Sequence, residues 1–250
     1  MPIPPTLAAA LKVRDTPFTP TAATATKVAV TLDQHVVSSF DIDNIQAIQS
    51  RPDVMSNYGE AAAIAIAERV ETTILQQYAN ASGSVGTAGT PLTIANLRTA
   101  RTNLTKAKAP LAQRAAFINP DSADGILGTL STTNAGAMFN DQTSLREGSI
   151  GRLYGFDIYE SQLTPVVTGT PDATHGIALH RDAITLVTRP LPAPDTGTGV
   201  ASVTVSDPDI GMTMRVMMSY NHTNTNYIVS YDVLFGVATT RADFMVDLIA

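Results

Sequence analysis

The chain has 250 residues, enough for one large core or two modest ones. Charged residues make up only 15%, against about a quarter in a soluble protein, and Thr, Ser, Asn and Gln fill the gap. A formal net charge of −6 argues against tight nucleic-acid binding, and the absence of cysteine excludes disulfides and thiolate metal sites.

Uncharged polar surface desolvates more cheaply than Lys or Glu. The composition therefore suits a protein that buries much of itself against neighbours, and equally a secreted or surface protein of ordinary habits. The opening MPIPPTLAAALKVRDTPFTPTAATAT has no basic start followed by an apolar run, so no signal peptide is expected. No stretch of about 18 apolar residues follows anywhere, so no membrane-spanning helix is expected either. Pro2, Pro4, Pro5, Pro17 and Pro20 deny this opening long helices and central strands. Two fates stay open for it: a disordered tail, or an extended arm laid over another subunit.

From Lys27, KVAVTLDQHVVSSFDI puts Val28, Val30 and Leu32 on one face, the pattern of a strand. SRPDVMSNYGEAAAIAIAERVETTILQQYANA predicts a helix from near Asp53 or Ser56 to about Ala79, with Ala63, Ile66, Ala67, Val70 and Ile74 as its buried stripe. Ser82 to Gly89 reads as a Gly/Ser linker. Thr93 is the expected N-cap of a second helix, whose stripe is Ile94, Leu97, Ala100, Leu104 and Ala107. Lys106 and Lys108 lie near its end, where the helix dipole favours positive charge.

AAFINP predicts a short core strand, and Asn119-Pro120-Asp121 an N-cap, a first-turn proline and a first-turn acid for a short helix ending near Gly128. Residues 129–148 are polar and aperiodic, an exposed loop. GRLYGFDIYES restarts ordered strand, GIALHRDAITLVTRPL brings strand and turn, and PAPDTGTG is a linker. The last fifty residues carry the clearest pattern. Ile210, Met212, Met214, Val216, Met218 and Tyr220 alternate, and so do Tyr227, Val229, Tyr231, Val233, Phe235 and Val237. This predicts a long β-hairpin with one apolar face, for which the helix of residues 56–79 is the economical cover.

Catalytic patterns are missing. His35, His175, His180 and His222 show no metal-ligand spacing. In His180-Arg181-Asp182, adjacent residues of a strand would face opposite ways, which argues against an acid–base pair. SGSVGTAGT has glycines without the lysine of a phosphate loop, and serines never sit in GxSxG. Asp207-Pro208-Asp209 and Asp121 to Asp124 read as capped turns and helix starts before they read as cation sites. The methionines at 212, 214, 217 and 218 fit core packing better than a soft-metal face. The expectation is no enzyme, no catalytic residue, no cofactor and no metal.

The ordered set does resemble something. KVAVTLDQHVVSSFDI feeding into DVMSNYGEAAAIAIAERVETTILQQYA, then LTIANLRTARTNLTKAKAP with AAFINPDSADGIL, SIGRLYGFDIYES, GIALHRDAITLVTRPL and the terminal hairpin resemble a tailed-bacteriophage major capsid (coat) protein of the HK97-like fold. In character the set is closest to the P22-type coat proteins. The resemblance covers roughly residues 27–247. It implies an α+β fold with a long spine helix at Asp53–Asn80, a peripheral β-sheet and an inserted axial domain. Residues 1–26 would be an N-terminal arm or its remnant, 27–89 the first part of the peripheral domain, 90–199 the axial domain, and 200–250 the second peripheral part with the hairpin. The family usually carries more chain ahead of the strand at 27–38, and P22-type coats insert an extra domain that has no counterpart here.

Function in that resemblance is mechanical: hexamers and pentamers tile an icosahedral shell around phage DNA. The implied partners are further copies of the chain, with scaffolding, portal or decoration proteins beside them, non-specific proximity to packaged double-stranded DNA, and no membrane. The implied location is the virion capsid, assembled in the host cytoplasm. An encapsulin-like shell of the same fold and a non-viral α/β binding or adhesion module are the alternatives. Within SIGRLYGFDIYES, glycines 151 and 155 allow turns or close backbone approach. Phe156 and Ile158 should share one face, Asp157 and Tyr159 the other. Without partner chemistry for a ligand, Arg152 and Tyr154 become the suspected intersubunit contacts.

Overall fold

The computed structural model describes residues 2–3, 9, 11–12, 14–15, 17, 26–43, 53–132, 150–195, 197–207 and 211–250. Most of the expected N-terminal arm and of the expected loop at 129–148 lies outside the described residues. In chain order the elements begin with β1 (Pro2–Ile3), β2 (Thr26–Lys27) and β3 (Gln34–Asp43). Then come α1 (Asp53–Leu75), its 3-10 continuation Gln76–Asn80, β4 (Ser84–Gly86), α2 (Ile94–Lys106), β5 (Arg114–Ile118) and α3 (Pro120–Thr132). The strands β6 (Arg152–Leu153), β7 (Phe156–Glu160), β8 (Val166–Val167), β9 (Ala173–His180) and β10 (Ile184–Arg189) follow. Last are β11 (Ala201–Asp207), β12 (Met212–Asn221), β13 (Asn226–Thr239) and β14 (Met245–Ile249).

The alternation of the last segment closes as expected into a hairpin, with Asn221 opposite Asn226. β13 is the hub of a five-stranded sheet. Its residues 227–230 pair with both β12 and β3, and Leu234 and Phe235 pair with both β3 and β10. So β3 lies along one edge of β13, while β12 and β10 lie end to end along the other. β11 completes the sheet outside β12.

Alternate residues of β13 face α1. Val233 and Phe235 pack with Ile66 and Val70 of the helix, and Val36, Ile74, Met212, Met214 and Tyr231 close round them. The helix buries Ala62, Ile66 and Val70, a narrower stripe than expected, and Ala67 is exposed. The i, i+4 line through these residues is the contact line of a helix laid on a sheet. Gly59 makes the closest approach possible, since a Cβ there would stand 2.7 Å from the Tyr231 hydroxyl.

Two stretches depart from their expected form. Ladder bonding in β3 starts only at Gln34, although Val28, Val30 and Leu32 keep the alternating half-burial. The incoming chain crosses β13 there: a Cβ on Gly236 would overlap the carbonyl oxygen of Thr31. The Ser82–Gly89 linker contains β4, which pairs parallel to β14. Gly86, at φ +112, lets the Ile249 carbonyl press against it.

The second sheet has seven strands, ordered β4-β14-β9-β5-β7-β6 with β8 beside β9. α2 supplies Leu97, Ala100 and Leu104 to its core, and α3 supplies Ala123 and Ile126; all pack with Ile118, Phe156, Ala178 and Leu248. Both helices start as expected. Thr93 Oγ1 accepts from the Asn96 amide at 3.4 Å, and Asn119 Oδ1 from the Ser122 amide at 3.2 Å. α3 runs to Thr132, past the expected stop at Gly128.

Strand membership crosses the segment boundaries at 90, 199 and 200. β10 joins the five-stranded sheet, whereas β4 and β14 join the seven-stranded one. α1 also serves both cores, through Ile66 and Val70 in the first and Leu75 in the second. Phe235→Ala is therefore expected to cost roughly 3–5 kcal/mol in urea unfolding of unassembled protein. Val203→Ala on the exposed edge strand should stay within about 0.5 kcal/mol.

Candidate intersubunit site

Arg152 and Tyr154 stand at the free edge of the seven-stranded sheet, in the short hairpin β6–β7. Leu153 pairs with Phe156, so Tyr154 and Gly155 form a two-residue turn, with φ of +51 and +83. That is the mirror-image turn that suits the twist of a hairpin. Gly155 fits it freely. Tyr154 does not, because a bulky side chain at positive φ is strained by about 1 kcal/mol or more. Leu153 and Phe156 anchor the turn from inside, at 4% and 0% exposed. The amide of Ile158 donates to the Gly151 carbonyl at 3.0 Å.

The two named side chains point outward from this anchored base. Arg152 is 60% exposed and pairs with Asp157 across the hairpin, Nε to Oδ1 at 3.5 Å. Tyr154 is 37% exposed. Phe156 is buried and Ile158 half-buried, whereas Tyr159 is exposed and stacks on Phe117 with ring centroids 5.4 Å apart. The site thus offers one fixed aromatic ring, a half-neutralised guanidinium and no converging polar groups.

The histidines all have structural partners. His175 donates from Nδ1 to Asp247 at 3.0 Å and stacks on Tyr78 at 4.1 Å. His35 Nε2 contacts Asp232 at 3.2 Å, and His222 meets Tyr220 edge to face. At His180 and Asp182 the strand expected through this stretch gives way to a turn. Residues Arg181–Ala183 form a 3-10 turn, and the Asp182 amide donates to His180 Nδ1 at 3.2 Å. The buried ring of His180 packs edge-on against Phe244, so the pair caps a turn. Among the described residues no cluster of acids and histidines could hold a metal, and no helix is long and apolar enough to cross a membrane.

Two buried charges were not legible as such. Arg114 is 2% exposed and, among the described residues, has no carboxylate within ion-pair distance. Its Nε donates to the Pro110 carbonyl and its Nη2 to that of Ala109, both at 2.8 Å, and Nη1 reaches Thr105 Oγ1 at 3.3 Å. It ties down the loop that follows α2, while backbone amides of Ala107, Lys108 and Ala109 take the last-turn carbonyls of the helix itself. Burial, with the charge of Arg101 added, lowers its pKa from the usual guanidinium value. Asp232, 1% exposed, receives the fork of Arg215, whose pKa the bond raises.

A family model described as phage capsid protein matches residues 55–189, more than half of the chain. The chain belongs to the phage capsid protein family. Solved structures agree on the fold. A chain of Mycobacterium phage Che8 is 21% identical with a TM-score of 0.64, covering 96% of this chain and 81% of that one. The capsid of cyanophage P-SCSP1u gives 16% identity and a TM-score of 0.65, over 99% and 81%. The SrpI encapsulin of Synechococcus elongatus PCC 7942 gives 14% and 0.54, over 90% and 75%. No curated protein matches the chain. The architecture is the α+β HK97-like capsid fold with a long helix, α1, and a peripheral β-sheet.

Asp247 generates a pH prediction for this capsid-family chain. Burial raises its pKa from the ordinary carboxylate value, against the pull of His175. A carboxyl with a raised folded pKa loses stability as pH climbs from about 3.9 to that folded value, and the cost is constant above it. Asp247→Asn keeps an acceptor for His175. Its Tm should equal or exceed that of wild type at pH 8, and the advantage should vanish below about pH 3.9. A lower Tm at pH 8 would contradict this assignment.

Proposed function

We propose that the chain is the major shell protein of a tailed phage, assembling through hexamers and pentamers into an icosahedral capsid around double-stranded DNA. The observation that carries this reading is the family match over residues 55–189 on an HK97-like fold. The low charge content and the wide uncharged polar surface support it, because repeated interfaces must be desolvated at modest cost. A net charge of −6 suits containment of DNA, not sequence reading. The role is structural, with no bond made or broken.

In this reading the five-stranded sheet with α1 is the peripheral domain and the seven-stranded sheet the axial one. The order of segments from 27 to 247 supports a place near the P22-type coats. Assembly in the host cytoplasm, scaffolding, portal and decoration partners belong to the same proposal. An encapsulin-like compartment is the second reading, favoured by the fold shared with the SrpI shell protein. Electron microscopy of the purified protein separates shell proteins from the rest. Closed shells support the proposal, and monodisperse monomers under all conditions overturn it. Nuclease-protected DNA in particles from infected cells distinguishes a virion from a compartment.

Arg152 and Tyr154 are the proposed intersubunit contacts. Tyr154→Gly removes the ring and also relaxes the positive-φ strain, so the subunit should unfold no earlier than wild type. Its shell yield, read by sedimentation, should fall, as should that of Arg152→Ala. Wild-type yields for both would remove these residues from the interface.

A further inference from the structure

The loop between α2 and β5, residues 107–113, holds an apolar side chain out in solvent. Leu111 is 59% exposed, yet the loop under it is fixed. Arg114 binds the carbonyls of Ala109 and Pro110 from below, and the Gln113 carbonyl accepts from the Arg181 amide at 3.1 Å. Lys108 and Gln113 both sit at positive φ, 62 and 57, to make the shape. Lys106 and Lys108 flank the tip and are exposed, with no carboxylate within ion-pair distance among the described residues. Arg101, Arg181 and Asp182 are other exposed charges beside the loop base. The loop is a rigid apolar knob with a basic collar.

The opposite end of the same sheet carries the opposite charge. β5 leaves the knob at Arg114 and ends at Ile118, roughly 13 Å away at about 3.3 Å per residue. There a cleft of about 410 Å³ is bordered by Asp121, Asp124 and Asp172, with Pro91 and Thr174 on its walls and no Lys, Arg or His in its lining. Helix dipoles account for Lys106 and Asp121. They do not account for an apolar side chain held out on a braced loop or for Lys108, whereas Asp172 also holds its own turn by accepting from the Gly169 amide at 2.8 Å.

We infer that the knob of one subunit docks into the acidic cleft of a second copy of this chain, Leu111 entering the cleft and Lys106 and Lys108 meeting Asp121, Asp124 and Asp172. This rests on the shell-forming reading above. Knob and cleft lie at opposite ends of one sheet, so the contact is head to tail, and repetition with rotation closes a ring. The occupant is another copy because both halves of the complementary pair are on this chain.

Charge reversal tests it. Lys106→Glu with Lys108→Glu makes a knob variant, and Asp121→Lys with Asp124→Lys a cleft variant. Each alone should lose shell yield by on the order of tenfold or more, since every contact then juxtaposes like charges. Mixed one to one, the two should form six-membered rings again, because knob-variant and cleft-variant subunits can alternate round an even-numbered ring; a five-membered ring keeps one like-charged contact, so the mixture is read by ring formation and not by closed-shell yield. Urea midpoints separate folding from assembly. If the change at Asp121 in the first turn of α3 destabilises the cleft variant, Asp124→Lys alone replaces it. Single variants that assemble like wild type, or folded variants whose mixture fails, overturn the inference. Wild-type protein that forms no shell contradicts instead the shell reading itself.

Discussion

Asp232 sits on β13 with 1% exposure and accepts the guanidinium fork of Arg215 and a hydrogen bond from His35. Three strands meet at this carboxylate: β12 brings Arg215, β3 brings His35, and β13 carries the charge between them. Removing one partner from such a buried pair typically costs about 3–5 kcal/mol, because the other charge stays desolvated. The neighbours of Asp232 on the strand, Tyr231 and Val233, point the other way, to α1. One alternating strand therefore serves a polar clamp on one face and an apolar core on the other. A slip of one residue would turn both inside out.

From this strand the rest is determined. β13 runs through a short 3-10 turn into β14, which enters the second sheet between β4 and β9. α1 crosses the same boundary from its own side, ending with Leu75 in the second core. Two elements thus tie the sheets together, and the subunit behaves as one tile whose outer edges are β11 and β6. Such a tile suits a role in which geometry is repeated and nothing reacts. Its histidines and buried acids are all engaged in holding strands, and its exposed features are a strained tyrosine turn, a braced leucine knob and an acidic cleft.

Much of this was legible in the sequence where the signal is local. Period-two alternation from Met212 to Val237 identified the hairpin, and Thr93 and Asn119 announced their helices through hydrogen bonds made within three residues. Signals that depend on distant partners were not legible. Ser84–Gly86 looks like a linker because its pairing with Asp247–Ile249 is three residues long and spans most of the chain. Arg114, in RAAFI, looks like a strand residue at a loop end; only the carbonyls of the loop after α2 make it a buried brace. His180-Arg181-Asp182 looked like continuous strand, and the turn that begins at Arg181 puts the Asp182 amide on the His180 ring instead. The exposed site was visible as Gly151 and Gly155, but the positive φ of Tyr154 was not.

Hydrogen exchange on free subunits and on assembled particles tests the central claim, that a preformed rigid tile built on β13 associates through its protruding edges. The account predicts that β13 amides exchange slowest already in the free subunit. Assembly should add protection at residues 107–113 and 152–155 and leave β13 unchanged. If β13 exchanges as fast as the edge strand β11 in free subunits and slows only in particles, the tile is made by assembly and the account is wrong.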